Sequence, residues 1–73
     1  MTFNEFKVVI QYLQSPDTEI VMLGQELGKQ LNMQIIFNVA NSWILTIEGW
    51  IPIPRFNKLT QSELERLYAI SIW

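Results

Sequence analysis

A chain of 73 residues with no cysteine, no histidine and a net charge of −2 leaves little room for chemistry. Disulfides, thiolate or imidazole metal sites and an imidazole general base are all ruled out, and so weak a negative charge argues against a nucleic-acid domain, which is usually basic. Hydrophobic residues make up 49% of the chain and charged residues only 16%, against roughly a quarter in average domains, so apolar surface should be left uncovered on a domain this small.

Thr2 followed by Glu5 reads as a capping box. Phe3, Phe6, Val9, Ile10 and Leu13 then recur at helical spacing, which predicts a first helix to about Gln14. Val8 and Tyr12 share a second, smaller apolar strip on its opposite side. Ser15-Pro16-Asp17-Thr18-Glu19 predicts the next helix, with Ser15 as cap, Pro16 at the first helical position and acids at the positive end of the dipole. Its expected buried stripe is Ile20, Leu23, Leu27 and Leu31. Gly24 and Gly28 lie beside that stripe, and Asn32 is suited to close the helix in the left-handed conformation. So short a connection implies a helical hairpin or a sharp corner.

The period then changes. Met33, Ile35, Phe37 and Val39 alternate onto one face of an extended run, Ala40-Asn41-Ser42 suits a turn, and Trp43, Leu45 and Ile47 alternate again before Glu48 and Gly49. This is the pattern of a β-hairpin. Trp50-Ile51-Pro52-Ile53-Pro54 is unsuited to a central strand because two prolines cannot donate to a ladder, so it is expected at an edge or in a crossing loop. Thr60 with Glu63 forms a second capping box, and Leu59 and Leu64 are placed for a hydrophobic staple. Residues 69–73 suit either a helix end or a short strand, with the helix favoured. The expected fold is a single α+β domain over residues 1–73 in the order ααββα: a helical pair, an antiparallel β-hairpin and a C-terminal helix.

Candidate chemistry is sparse. None of Ser15, Ser42, Ser62 and Ser71 has an imidazole to activate it, and no Gly-x-Ser-x-Gly elbow occurs. Glu5, Asp17, Glu19 and Glu63 are explained by helix starts, and Glu26 and Glu65 by solvated helix faces. Glu48 stands among apolar residues and reads as a solvent-facing strand position. The Gly24/Gly28 pair is expected to let something bulky approach, chiefly Phe or Trp side chains of the same chain. No catalytic residue, cofactor or metal is expected.

What remains is surface. Val8, Tyr12, Met22, Trp50, Phe56 and Trp73 are the candidates for an interface, since aromatic residues dominate interface hot spots. They suggest a non-catalytic domain that binds itself and a larger protein. In type it is similar to the small accessory proteins of phages and mobile elements, some of which act as inhibitors; the likeness is one of kind and carries no residues. Two alternatives stay open. Arg55, Lys58 and Arg66, with Trp50 and Phe56, could contact nucleic acid. Trp43 and Trp50, with Glu48, could line a small-ligand pocket at a subunit interface. No apolar run approaches the ~20 residues of a membrane span, and Met1–Glu5 lacks the basic start of a signal peptide, so the cytoplasm is the expected location.

Overall fold

The computed structural model describes residues 1–38 and 40–73. Helix α1 (Phe3–Leu13) starts at the first capping box: Thr2 Oγ1 accepts from the Glu5 amide at 3.1 Å, and Glu5 Oε1 accepts from the Thr2 amide at 2.7 Å. Phe6, Val9, Ile10 and Leu13 are buried, while Val8 and Tyr12 remain exposed.

Helix α2 (Thr18–Gln30) begins later than the Ser-Pro signal predicts. Its cap is Asp17, whose carboxylate accepts from the Glu19 amide at 2.9 Å; Ser15 Oγ accepts from the Asp17 amide at 3.0 Å. An ionised acceptor bonds an orphan amide more strongly than a hydroxyl does, so Asp17 takes the cap and Ser15-Pro16 is left to turn the corner. The buried face also differs from the expected leucine stripe. Val21, Gly24 and Gly28 face inward, Leu27 and Leu31 are half-buried, and Ile20 and Leu23 are exposed. The glycines decide this rotation. A Cβ on Gly24 would stand 2.7 Å from Tyr12 Cβ and 3.2 Å from the Leu13 backbone nitrogen. What approaches here is thus the backbone of α1, not a Phe or Trp side chain. At Gly28 the neighbours are Ile35 Cδ1 and, at 3.3 Å, Val9 Cγ1.

Asn32 has φ 70°, and the Met33 amide reaches the Gly28 carbonyl at 2.9 Å while the Asn32 amide reaches Lys29 at 3.0 Å. This double closure is a Schellman motif with asparagine in the left-handed position, as the sequence suggests.

Three strands follow: β1 (Ile35–Phe37), β2 (Ser42–Thr46) and β3 (Gly49–Ile53), an antiparallel meander with β2 central. Asn38 Oδ1 accepts from the amides of Ala40 and Asn41 between β1 and β2, and Ser42, expected in the turn, belongs to β2. Val39, assigned by alternation to the Met33 face, lies outside the described residues. Ile47 and Glu48, expected to extend the second strand, form the tight connection to β3. It closes on Gly49 at φ 101°, and Thr46 Oγ1 both donates to the Gly49 carbonyl and accepts from the Glu48 amide. The proline-bearing segment is therefore a third, edge strand. Leu45 donates to Gln34 on the β1 side, so Trp43, by alternation, also turns its backbone groups there. Pro52, opposite Trp43, consequently directs its missing donor to the free edge, where nothing is lost.

Helix α3 (Gln61–Ile70) begins at the second capping box, and Leu59 and Leu64 flank its start. Helical structure ends at Ile70 and the tail turns extended: Ser71 bridges Thr46, and the Ile72 amide donates to Leu45. The favoured all-helical reading of residues 69–73 fails beyond Ile70 because β2 still offers unpaired groups beyond the short β1. The order is ααβββα, an α+β fold. Its core joins Phe6, Val9, Ile10 and Leu13 of α1, Val21 of α2, Leu67 of α3, Met33, and the sheet residues Ile44 and Ile53.

Candidate interaction surfaces

Strand β2 buries Ser42, Ile44 and Thr46 against the helices. Successive strand residues face opposite ways, so Trp43 and Leu45 look outward. The register extends this outer face across the sheet. Ile36, Trp43 and Pro52 form one row, and Leu45 with Trp50 the next. Ile72, bonded to Leu45, continues that second row past the end of β1. Ile36, Trp50 and Ile72 are 50%, 42% and 41% exposed. All these positions are apolar; Gln34, opposite Leu45 on the β1 side and exposed, is the polar residue of this face. The indole N–H of Trp43 is closed off from solvent without an acceptor in the protein.

A second surface lies on the helical side, at the end of the molecule where α1 turns into α2. Here a groove of about 560 Å³ runs between Lys7 and Ile10 of α1 with Gln14 at its end, and Phe56 and Leu59 ahead of α3 with Leu64 in its first turn. Its wall is fixed from two directions. Gln14 Nε2 donates to the carbonyls of Pro54 and Asn57 at 3.0 and 2.7 Å. Arg55 donates through Nε to the Ser15 carbonyl at 3.1 Å and through a terminal nitrogen to Pro16 at 2.9 Å. Lys7, Arg55 and Lys58 all line this groove, and no acidic residue does.

The residues singled out from sequence scatter over these surfaces. Trp50 lies on the outer sheet face, Phe56 and Lys58 on the groove. Val8 and Tyr12 are exposed on α1 and Met22 on α2. Trp73 stacks on Tyr68 with ring centroids 5.0 Å apart, and Tyr68 in turn packs edge-on against Phe6 and donates to the Met1 carbonyl. The C-terminal tryptophan thus finishes an aromatic cluster. Of the basic candidates, Arg55 is held by backbone carbonyls and Arg66 reaches both Glu48 oxygens at 2.7 Å. Glu48 is therefore a turn residue in an ion pair, and Trp43 and Trp50 line neither the groove nor the smaller hollow beside Ile51 and Leu67. Ile36, Leu45 and Ile72 join this surface without being among the interface candidates that the sequence offers. Their signal was present in runs apolar at consecutive positions, but alternation alone does not say which face meets the helices.

Two glutamate carboxylates are committed to helix starts. Glu5 and Glu63 are held below the usual carboxylate value by hydrogen bonds, first from the backbone amide and then from the hydroxyl of Thr2 and Thr60 respectively. Among the described residues no three acidic side chains converge to hold a metal ion, and no helix is long and apolar enough to cross a membrane. Comparison with known proteins yields no matching family model, no similar curated protein and no similar solved structure.

Proposed function

We propose that this chain is a non-catalytic protein-interaction domain that pairs with a second copy through the outer face of its sheet. One observation carries the reading: a face built from Ile36, Trp43, Leu45, Trp50, Pro52 and Ile72 with no element of the described chain packed over it. Together with Ile47 at the hairpin, 74% exposed, it presents roughly 500–600 Å² per copy, so a two-fold pair buries on the order of 1,100 Å², just above the ~1,000 Å² a biological interface should clear and at the weak end of the range. A two-fold interface brings a surface against itself, and these strand positions carry no charge that would be repelled. Pairing edge to edge is opposed by Pro52 on β3 and by the brevity of β1. Aqueous cytoplasm, where an unpaired face of this kind favours association, suits the reading.

Sedimentation across a micromolar concentration range tests it. The native chain is expected to shift from monomer to dimer, and Trp50→Glu, which places a charge in the face without touching the core, is expected to remain monomeric at all concentrations. A native chain that stays monomeric throughout overturns the proposal. So does a dimer indifferent to Trp50→Glu.

A further inference from the structure

The groove at the α1–α2 corner has features the sheet face lacks: a charged rim of one sign, an apolar floor and a wall held by hydrogen bonds. Ile10, Leu59 and Leu64 supply the floor, and Phe56, 77% exposed, stands at its margin. The chain has five lysines and arginines in all, and three of them, Lys7, Arg55 and Lys58, are gathered here. The hydrogen bonds of Arg55 go to uncharged carbonyls and its guanidinium lies 5.7 Å from the Phe56 ring centre, as the Lys7 ammonium lies 5.4 Å from that of Phe3, so none of these contacts brings a carboxylate to either charge. The nearby acids Asp17 and Glu63 are turned to the helix starts they cap. In a domain of net charge −2 this concentration of positive charge around an apolar floor is complementary to an occupant that is negative at its edges and apolar at its centre.

Shape narrows the class. Lys7, Gln11 and Gln14 all line the groove and span two turns of α1, about 10 Å at 1.5 Å per residue. An open trough of that length fits a short peptide segment laid along a helix, as in helix-in-groove recognition, better than a compact metabolite enclosed on most sides. The bonds from Gln14 and Arg55 brace the trough before anything binds, which lowers the ordering cost of association.

We infer that the groove between α1 and the start of α3 docks an acidic, amphipathic peptide segment of a partner protein, with Lys7 and Lys58 meeting its carboxylates and Phe56, Leu59 and Leu64 its apolar side chains. This builds on the reading of the chain as an interaction domain but uses a surface on the far side of the sheet from the self-pairing face.

The test uses the full chain carrying Trp50→Glu, so that its outcome does not depend on self-association, with backbone amide NMR shifts as the readout. The probe is a short peptide in which leucines and a phenylalanine alternate with aspartates and glutamates. Controls are the same peptide with lysines replacing the acids, and a medium-chain fatty acid. Expected are shifts confined to Gln11, Gln14, Lys58, Leu59 and Leu64, binding that weakens as salt rises, and at least a fivefold loss of affinity in Lys58→Glu and in Phe56→Ala. Both side chains are exposed, so neither change threatens the fold. The inference is overturned by absence of shifts at low salt, by equal binding of the lysine peptide, or by shifts centred on Trp43 and Leu45. Tighter binding of the fatty acid at the same amides also overturns it, assigning the groove to a small amphiphile. Failure here leaves the sedimentation result on the native chain intact, and the reverse holds equally.

Discussion

Ser42 is fully buried in the sheet, and its hydroxyl finds no partner in the protein. Thr46, two residues along on the same face, is buried with its hydroxyl fully used in the hairpin. The two therefore respond differently to removal of the oxygen. Ser42→Ala removes a desolvated group with nothing to lose and is expected to leave stability unchanged or raise it by about 1 kcal/mol in urea unfolding; a loss of comparable size would mean that the hydroxyl is satisfied after all. Glu5 and Glu63 bear on pH. Their folded-state values lie below the ordinary carboxylate value, so their contribution is present above that value and is lost as the pH falls through the lowered ones. Melting temperature should accordingly drop on acidification below about pH 5, and Glu5→Gln with Glu63→Gln should flatten that acid limb. An unaltered limb in the double variant would assign it to other carboxylates.

At the scale of elements, the αα corner turns on Gly24. An added methyl there meets the backbone of α1, which can yield only if the helices separate. At Gly28 the first obstacle is the tip of the Ile35 side chain, which can rotate away. Alanine favours a helix over glycine by about 1 kcal/mol, while overpacking costs about 1–3 kcal/mol. Gly24→Ala is thus expected to destabilise by up to about 2 kcal/mol net, and Gly28→Ala by clearly less. Equal effects measured by chemical denaturation would show that α1 and α2 are not held at the distance described. The same close approach explains why the leucine stripe of α2 is not its buried stripe. Spacing identifies Ile20, Leu23, Leu27 and Leu31 as one side of a helix, but the smallest side chains are those that let a neighbouring helix come nearest.

For the molecule as a whole, the helices pack on one face of a three-stranded sheet, and among the described residues no helix packs on the other. A chain of 73 residues gains little stability from one core, and the proposed pairing through the outer face would add burial to it. Assembly stabilises by mass action, so the melting temperature of the native chain should rise with protein concentration, while that of Trp50→Glu should not. Its groove lies elsewhere and is expected to be the same in monomer and dimer.

Local signals in the sequence determined much of this protein. Both capping boxes, the left-handed Asn32, the paired strands and the edge position forced by Pro52 follow from interactions within a few residues or from the intrinsic limits of one residue type. The missing thiol and imidazole groups were equally legible. Only the tertiary structure decided which side of each apolar element turns inward. It buried Ile44 between two hydroxyl residues and turned Trp43 and Leu45 to the outside, rotated α2 onto its glycines, and drew residues 71–72 off the helix to pair with β2. It also gathered Lys7 and Lys58, 51 positions apart, around one groove. The reason is that strands and helices apolar on both sides have two nearly equivalent ways to face a core. The choice between them rests on the distance at which neighbouring elements pack, a property of pairs of segments that neither segment carries alone.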